Sequence, residues 1–139
     1  MKFDWSLFGI VQGSSIDTDT IAQTQKLLSV VFPDLYLDLV KYADEASPEI
    51  SSFPYGNAGT CISEFFSFSP VLKAGTIVWH TRVAGLPTGW VAIARDAGDY
   101  LICLNFNTRS TTVEMFDPES GSTGFVANSF NDFVGLWRE

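Results

Sequence analysis

The chain of 139 residues holds a single histidine, His80, and two cysteines, Cys61 and Cys103. One imidazole rules out a histidine-rich metal centre, and two distant thiols cannot complete a tetrahedral zinc set without carboxylates. Both cysteines stand in apolar, strand-like text, the setting of buried reduced thiols, so a reducing compartment suits the chain better than a redox site. Cations are scarce as well: 8 Lys and Arg face 16 Asp and Glu, a formal charge of -8. Binding a phosphate polyanion needs clustered Lys and Arg, which argues against nucleic acid and anionic membranes as direct partners and favours a basic protein. No stretch approaches the ~20 apolar residues of a membrane span. The residues from Lys2 to Phe8 interrupt a short apolar run with Asp4 and Ser6 and show no small-residue cleavage pattern, unlike a signal peptide. A soluble cytoplasmic protein is expected.

What the chain does have is apolar bulk. It is 46% hydrophobic, with 12 Phe, 4 Trp and 4 Tyr. A single domain of this size buries about two-thirds of its unfolded surface and needs no covalent staple. Residues 1–88 carry nine acids and five bases, residues 89–139 seven and three, and the longest like-charge run is Asp44-Glu45. Any acidic face must therefore be assembled by folding.

Thr20 and Gln23 form a capping box, followed at helical spacing by Ile21, Thr24, Leu28 and Val31, with Leu27 widening the stripe. This spacing predicts a helix over 20–31. Pro33 and Asp34 suit the start of a second helix with Leu35, Tyr36, Leu39, Val40 and Tyr42 on its buried side. Residues 43–60 are rich in Ser, Pro, Gly and Asn and read as loop with at most one helical turn. Residues 61–68 read as a strand. Over 77–83, Ile77, Trp79, Thr81 and Val83 alternate with Val78, His80 and Arg82, a strand pattern flanked by Pro70 and Gly75. Trp90 to Arg95 and Tyr100 to Phe106 read as a hairpin turning at Ala97-Gly98, followed by strands at 112–116 and 125–127. Ser129 caps a terminal helix whose Phe130, Phe133, Val134 and Trp137 fall at i, i+3, i+4 and i+7. These elements predict a single α+β domain: an antiparallel or mixed sheet with two N-terminal helices and one C-terminal helix packed on it.

Motifs for chemistry are sparse. Cys61 and His80 lack a catalytic sequence context, and a buried thiol is inert without a cation to lower its pKa. Gly56-Asn57-Ala58-Gly59 lacks the Lys and hydroxyl of a phosphate loop, so a turn is the better reading. Asp17-Thr18-Asp19 stands before the first helix, where capping accounts for it. Asp96 with Asp99, and Asp117 with Glu119, could be drawn as acid and base, but wet turns do not shift pKa values as general acid–base work requires. Carboxylate catalysis is the least supported reading, and no catalytic residue, cofactor or metal is expected.

The order and spacing of several pieces are similar to those of the SUKH superfamily, the Smi/Knr-type domains. Trp90 to Asp96 followed by Gly98-Asp99 and Tyr100 to Leu104 resembles the strand–Gly-Asp–strand signature. Val113 to Glu119 resembles the segment that follows, with Pro118 in place of the usual His. Ala127 to Phe133 resembles the closing helix start, and Phe32 to Tyr36 the Leu-Pro-x-x-Tyr start of a helix. Ala43 to Ala46 replaces an Asn-Gly-Gly-like turn, and residues 50–85 have no counterpart. The resemblance implies a non-catalytic binding domain, in bacteria often an immunity protein that neutralises a polymorphic toxin, frequently a nuclease. A nuclease presents Lys and Arg to phosphate, so an acidic inhibitor can steer onto that surface. A basic cognate toxin is therefore the expected partner of a monomer or weak homodimer. The alternative is a regulatory scaffold of the Smi/Knr type bound to a cellular partner. The residues expected to meet the partner are Asp96, Asp99, Glu114, Asp117 and Glu119, joined by Asp44, Glu45 and Glu49; Tyr55 and Trp79 are candidate aromatic anchors, with core packing the better reading of Trp79.

Overall fold

The computed structural model describes residues 3–139. A 3-10 turn at Trp5–Phe8 precedes α1 (Thr18–Leu28) and α2 (Asp34–Tyr42). Strands β1 (Ser52–Tyr55) and β2 (Ala58–Phe65) lead to α3 (Ile77–Val83). Then come β3 (Trp90–Asp96), β4 (Leu101–Asn105), β5 (Thr112–Phe116), β6 (Thr123–Ala127) and α4 (Phe130–Leu136). All six strands form one sheet in the order β1-β2-β3-β4-β5-β6, each neighbour antiparallel to the next. The expected α+β domain, with helices from both ends of the chain on a sheet, is what the residues build.

Register decides which face each helix covers, because residues directly opposed in antiparallel strands share a face. Phe65, Ala94, Ile102, Met115 and Gly124 are opposed in succession from β2 to β6. Phe65 packs on Phe130 and Trp137, so α4 covers this inner face, and Phe130 in turn meets Tyr36 of α2. Glu64, Arg95, Leu101 and Phe116 are opposed on the outer face, where α3 lies beside Arg95 and Leu101. Covered on both sides, β3 and β4 are buried along nearly their whole length. The core is aromatic: Trp5, Phe32, Tyr36, Phe53, Phe68, Phe130 and Phe133 are fully buried.

Four local expectations change. α1 begins at Thr18, because Asp17 is the N-cap and accepts from the Thr20 amide at 2.7 Å. It ends at Leu28, where Ser29 turns left-handed, which leaves Val31 79% exposed. Residues 52–60, expected as loop, form the β1–β2 hairpin around Gly56-Asn57; Pro54 fits because β1 is an edge strand that needs no further donor there. Residues 77–83 form a helix: the Thr76 hydroxyl caps it by accepting from the Trp79 amide, and its buried residues are the adjacent Ile77 and Val78, not the alternate positions 77, 79, 81 and 83 that the strand reading put on one face. Finally, Cys103 is buried but Cys61 is only half-buried, both as free thiols.

Candidate partner-binding face

In a meander, alternate connections share an end of the sheet. The β1–β2 turn, the β3–β4 turn at Ala97–Tyr100 and the β5–β6 turn at Asp117–Ser122 therefore converge. Four of the expected site residues, Asp96, Asp99, Asp117 and Glu119, are carried to this one end.

Their roles differ. Asp96 is buried, and its carboxylate accepts from the Thr60 hydroxyl at 2.8 Å and from the amides of Gly98 at 3.0 Å and Tyr100 at 2.8 Å. It ties the β2 strand to the β3–β4 turn. That turn closes through the Asp99 amide on the Asp96 carbonyl, which places Asp99 in the left-handed region at φ 65, a conformation Asp tolerates better than most residues. The Asp99 carboxylate points into solvent, 3.5 Å from Arg95 Nη1. Asp117 accepts from the Glu119 amide at 2.9 Å and the Ser120 hydroxyl at 2.8 Å, and these bonds hold its carboxyl below the usual range. Glu119 is exposed. Asp99, Tyr100, Asp117 and Glu119 line a shallow pocket of about 170 Å³.

The cation beside this end is Arg95, whose Nε lies 3.1 Å from Glu64 Oε1 outside hydrogen-bonding alignment. Next to the acidic pocket, and sharing Asp99 and Pro118 with it, a groove of about 270 Å³ runs along α3. Trp79, Val83 and Ala84 form one wall, Leu101 and Pro118 the other. Trp79 is half-buried and Val83 is 56% exposed. His80, also in the groove, stacks on Phe66 with ring centroids 3.6 Å apart. Burial first, then the Arg95 charge, lowers its pKa, so the ring is neutral at pH 7.

The other expected site residues lie elsewhere. Glu114 faces outward from the middle of β5, accepting from Asn105 Nδ2 at 2.6 Å and the Thr112 hydroxyl at 2.9 Å. Asp44 sits near the far end of β2, accepting from the Ser67 hydroxyl and the Phe68 amide, both at 2.8 Å. Glu45 beside it is exposed in the left-handed region, at the turn where a glycine would carry no strain. Glu49 is exposed, with its side chain against Gly9. Folding thus assembles one acidic end, with other carboxylates distributed over α1, α2 and α4. Tyr55 is half-buried at this same end, its pKa raised by burial and then by Tyr100, Asp96 and Asp117.

Among the described residues, no three His, Cys, Asp or Glu side chains come together as a metal site, and no helix is long and apolar enough to cross a membrane. Burial pushes the Cys103 thiol far above its ordinary range. The molecule is thus a meander with helices on both faces, whose turn carboxylates fix loops and whose exposed ones adjoin an apolar groove. Residues 15–135 match the SMI1 / KNR4 family (SUKH-1), and the chain belongs to that family. The match runs through residues 50–85, where sequence motifs had given no counterpart. Comparison with curated proteins gives no match.

Proposed function

We propose that this protein is an immunity protein that neutralises a cationic toxin by stoichiometric, charge-assisted binding at the turn end of its sheet. One observation carries this reading: two hairpin turns bring the exposed carboxylates of Asp99 and Glu119, with the half-buried Asp117 between them, to one end, where the nearby cation, Arg95, already stands between Glu64 and Asp99. The uncompensated negative charge there suits a surface rich in Lys and Arg, which a nuclease needs for its own substrate. Family membership supports a protein–protein interaction and is compatible with a regulatory Smi/Knr-type role as well as immunity. Of the expected contact residues, Asp99 and Glu119 are the direct ones in this reading, with Asp117 holding the loop between them. Asp96, Glu114 and Asp44 set turn and strand geometry.

The test is co-expression with the product of the gene immediately upstream. Restored growth together with a one-to-one complex is the expected result. Toxicity unchanged by the protein, with no complex, overturns the reading.

A further inference from the structure

We propose that the groove between α3 and the sheet seats a large apolar side chain from the same partner whose cations meet Asp99 and Glu119. The inference rests on the cationic-partner reading above and adds the second half of the recognition element: a Lys or Arg adjoining a large aliphatic or aromatic residue.

The groove leaves apolar surface uncovered. Trp79 and Val83 occupy successive turns of α3, four residues apart, and so present one continuous strip. Val83 is 56% exposed and Trp79 is half-buried, although the inner side of the same helix buries Ile77 and Val78 completely. Leu101 and Pro118 complete the opposite wall, so an incoming side chain meets apolar surface from two sides. Burial of an aromatic anchor in such a cleft is a common source of interface energy.

Charge fixes the occupant. The groove and the acidic pocket share Asp99 and Pro118, so whatever enters one borders the other. Around them stand Glu64, Asp99, Asp117 and Glu119 against Arg95 and the exposed Arg82 of α3. His80 adds no charge at pH 7. The balance is negative, which disfavours a second copy of this acidic chain and favours a cationic segment. A bound Lys or Arg would take over the exposed Asp99 from its 3.5 Å pairing with Arg95, while Arg95 keeps Glu64.

Two short probes separate the groove from the acidic end: the blocked tripeptides Lys-Leu-Lys and Lys-Ser-Lys, titrated into the full-length 15N-labelled protein. The expected result is a dissociation constant about fivefold lower for the Leu peptide. It should shift the Trp79 indole N–H and the amides of 79–84, 98–101 and 117–120, whereas the Ser peptide shifts only 98–100 and 117–120. Trp79→Ser should erase the difference between peptides. Val83→Lys, a change at an exposed position that leaves the core intact, should do the same and weaken both peptides. Equal affinities, with shifts confined to the acidic turns, overturn the groove while leaving the cationic-partner reading standing. Absence of shifts at either place for both peptides overturns both, and shifts centred on another surface overturn the groove.

Discussion

The Tyr55 hydroxyl lies directly over Gly124, where the Cβ of any other residue would stand. The two residues belong to the first and last strands of the sheet, so the contact measures how far the sheet curls. Register shifts accompany the curl: residues 58–61 of β2 pair with β1, from Ile62 onward the strand pairs with β3 through a bulge, and the β3–β4 and β5–β6 pairings carry further shifts. Gly124→Ala should therefore cost about 1–3 kcal/mol, the usual range for overpacking. Tyr55→Ala in the same chain should recover part of that loss. Urea unfolding of the two single variants and the double variant measures the coupling, and strictly additive losses would show that the contact is absent.

Much of this architecture was legible in the sequence. The terminal helix begins after Ser129, as its spacing indicated, and β5 spans the anticipated 112–116, because both carry a clear period and a clear boundary. The β1–β2 hairpin was hidden by Pro54 and Gly59, which read as loop unless the strand is known to lie at an edge. α3 was hidden because its seven residues are rich in β-branched and aromatic side chains, and alternation over so short a run does not distinguish periods of 2 and 3.6. The site was half legible. The acids of the turns were visible, but the convergence of alternate turns at one end and the groove behind them required the topology. Trp79, foreseen only as one possible anchor, owes its place to a helix that the residues suggested as a strand.

Asp96 is the structural counterpart of its exposed neighbours. Removing its carboxylate in Asp96→Ala strands the Thr60 hydroxyl and two turn amides. A loss of about 2–3 kcal/mol is expected, because bonds to a charged acceptor are worth more than neutral ones. Asp99→Asn should change stability by less than ~0.5 kcal/mol, since the side chain is exposed and Asn also accepts a positive φ. Thermal unfolding of both variants distinguishes the two roles.

Tyr36 carries a fully buried hydroxyl with no hydrogen-bond partner among the described residues. Burial and the nearby Asp44 push its pKa upward, so it stays neutral. Tyr36→Phe keeps the ring against Phe32, Phe68 and Phe130 and removes the unpaired group. Stability should hold or rise by up to about 1 kcal/mol; a loss above that in chemical denaturation would reveal a partner for the hydroxyl.

His80 gives the fold a specific pH dependence. Its folded pKa lies below the ordinary 6.5, chiefly through burial and secondarily through Arg95, with Glu64 opposing. Below 6.5 the unfolded chain takes up a proton that the folded chain resists, so stability from this residue falls as pH drops toward the folded value and is complete above 6.5. His80→Phe keeps a flat ring on Phe66 and removes the titration. Urea midpoints at pH 7.5 and 5.5 should therefore fall less in the variant than in the wild type, and equal falls would contradict the assignment.

The most direct test of the account is the affinity of the full-length protein for the upstream gene's product, measured calorimetrically at low and high salt, with wild type beside Asp99→Asn/Glu119→Gln. The account predicts a one-to-one complex weakened roughly tenfold between about 50 and 500 mM NaCl, and a double variant that is weaker at low salt and has lost most of that salt dependence. A tight complex indifferent to both salt and the two substitutions would contradict it.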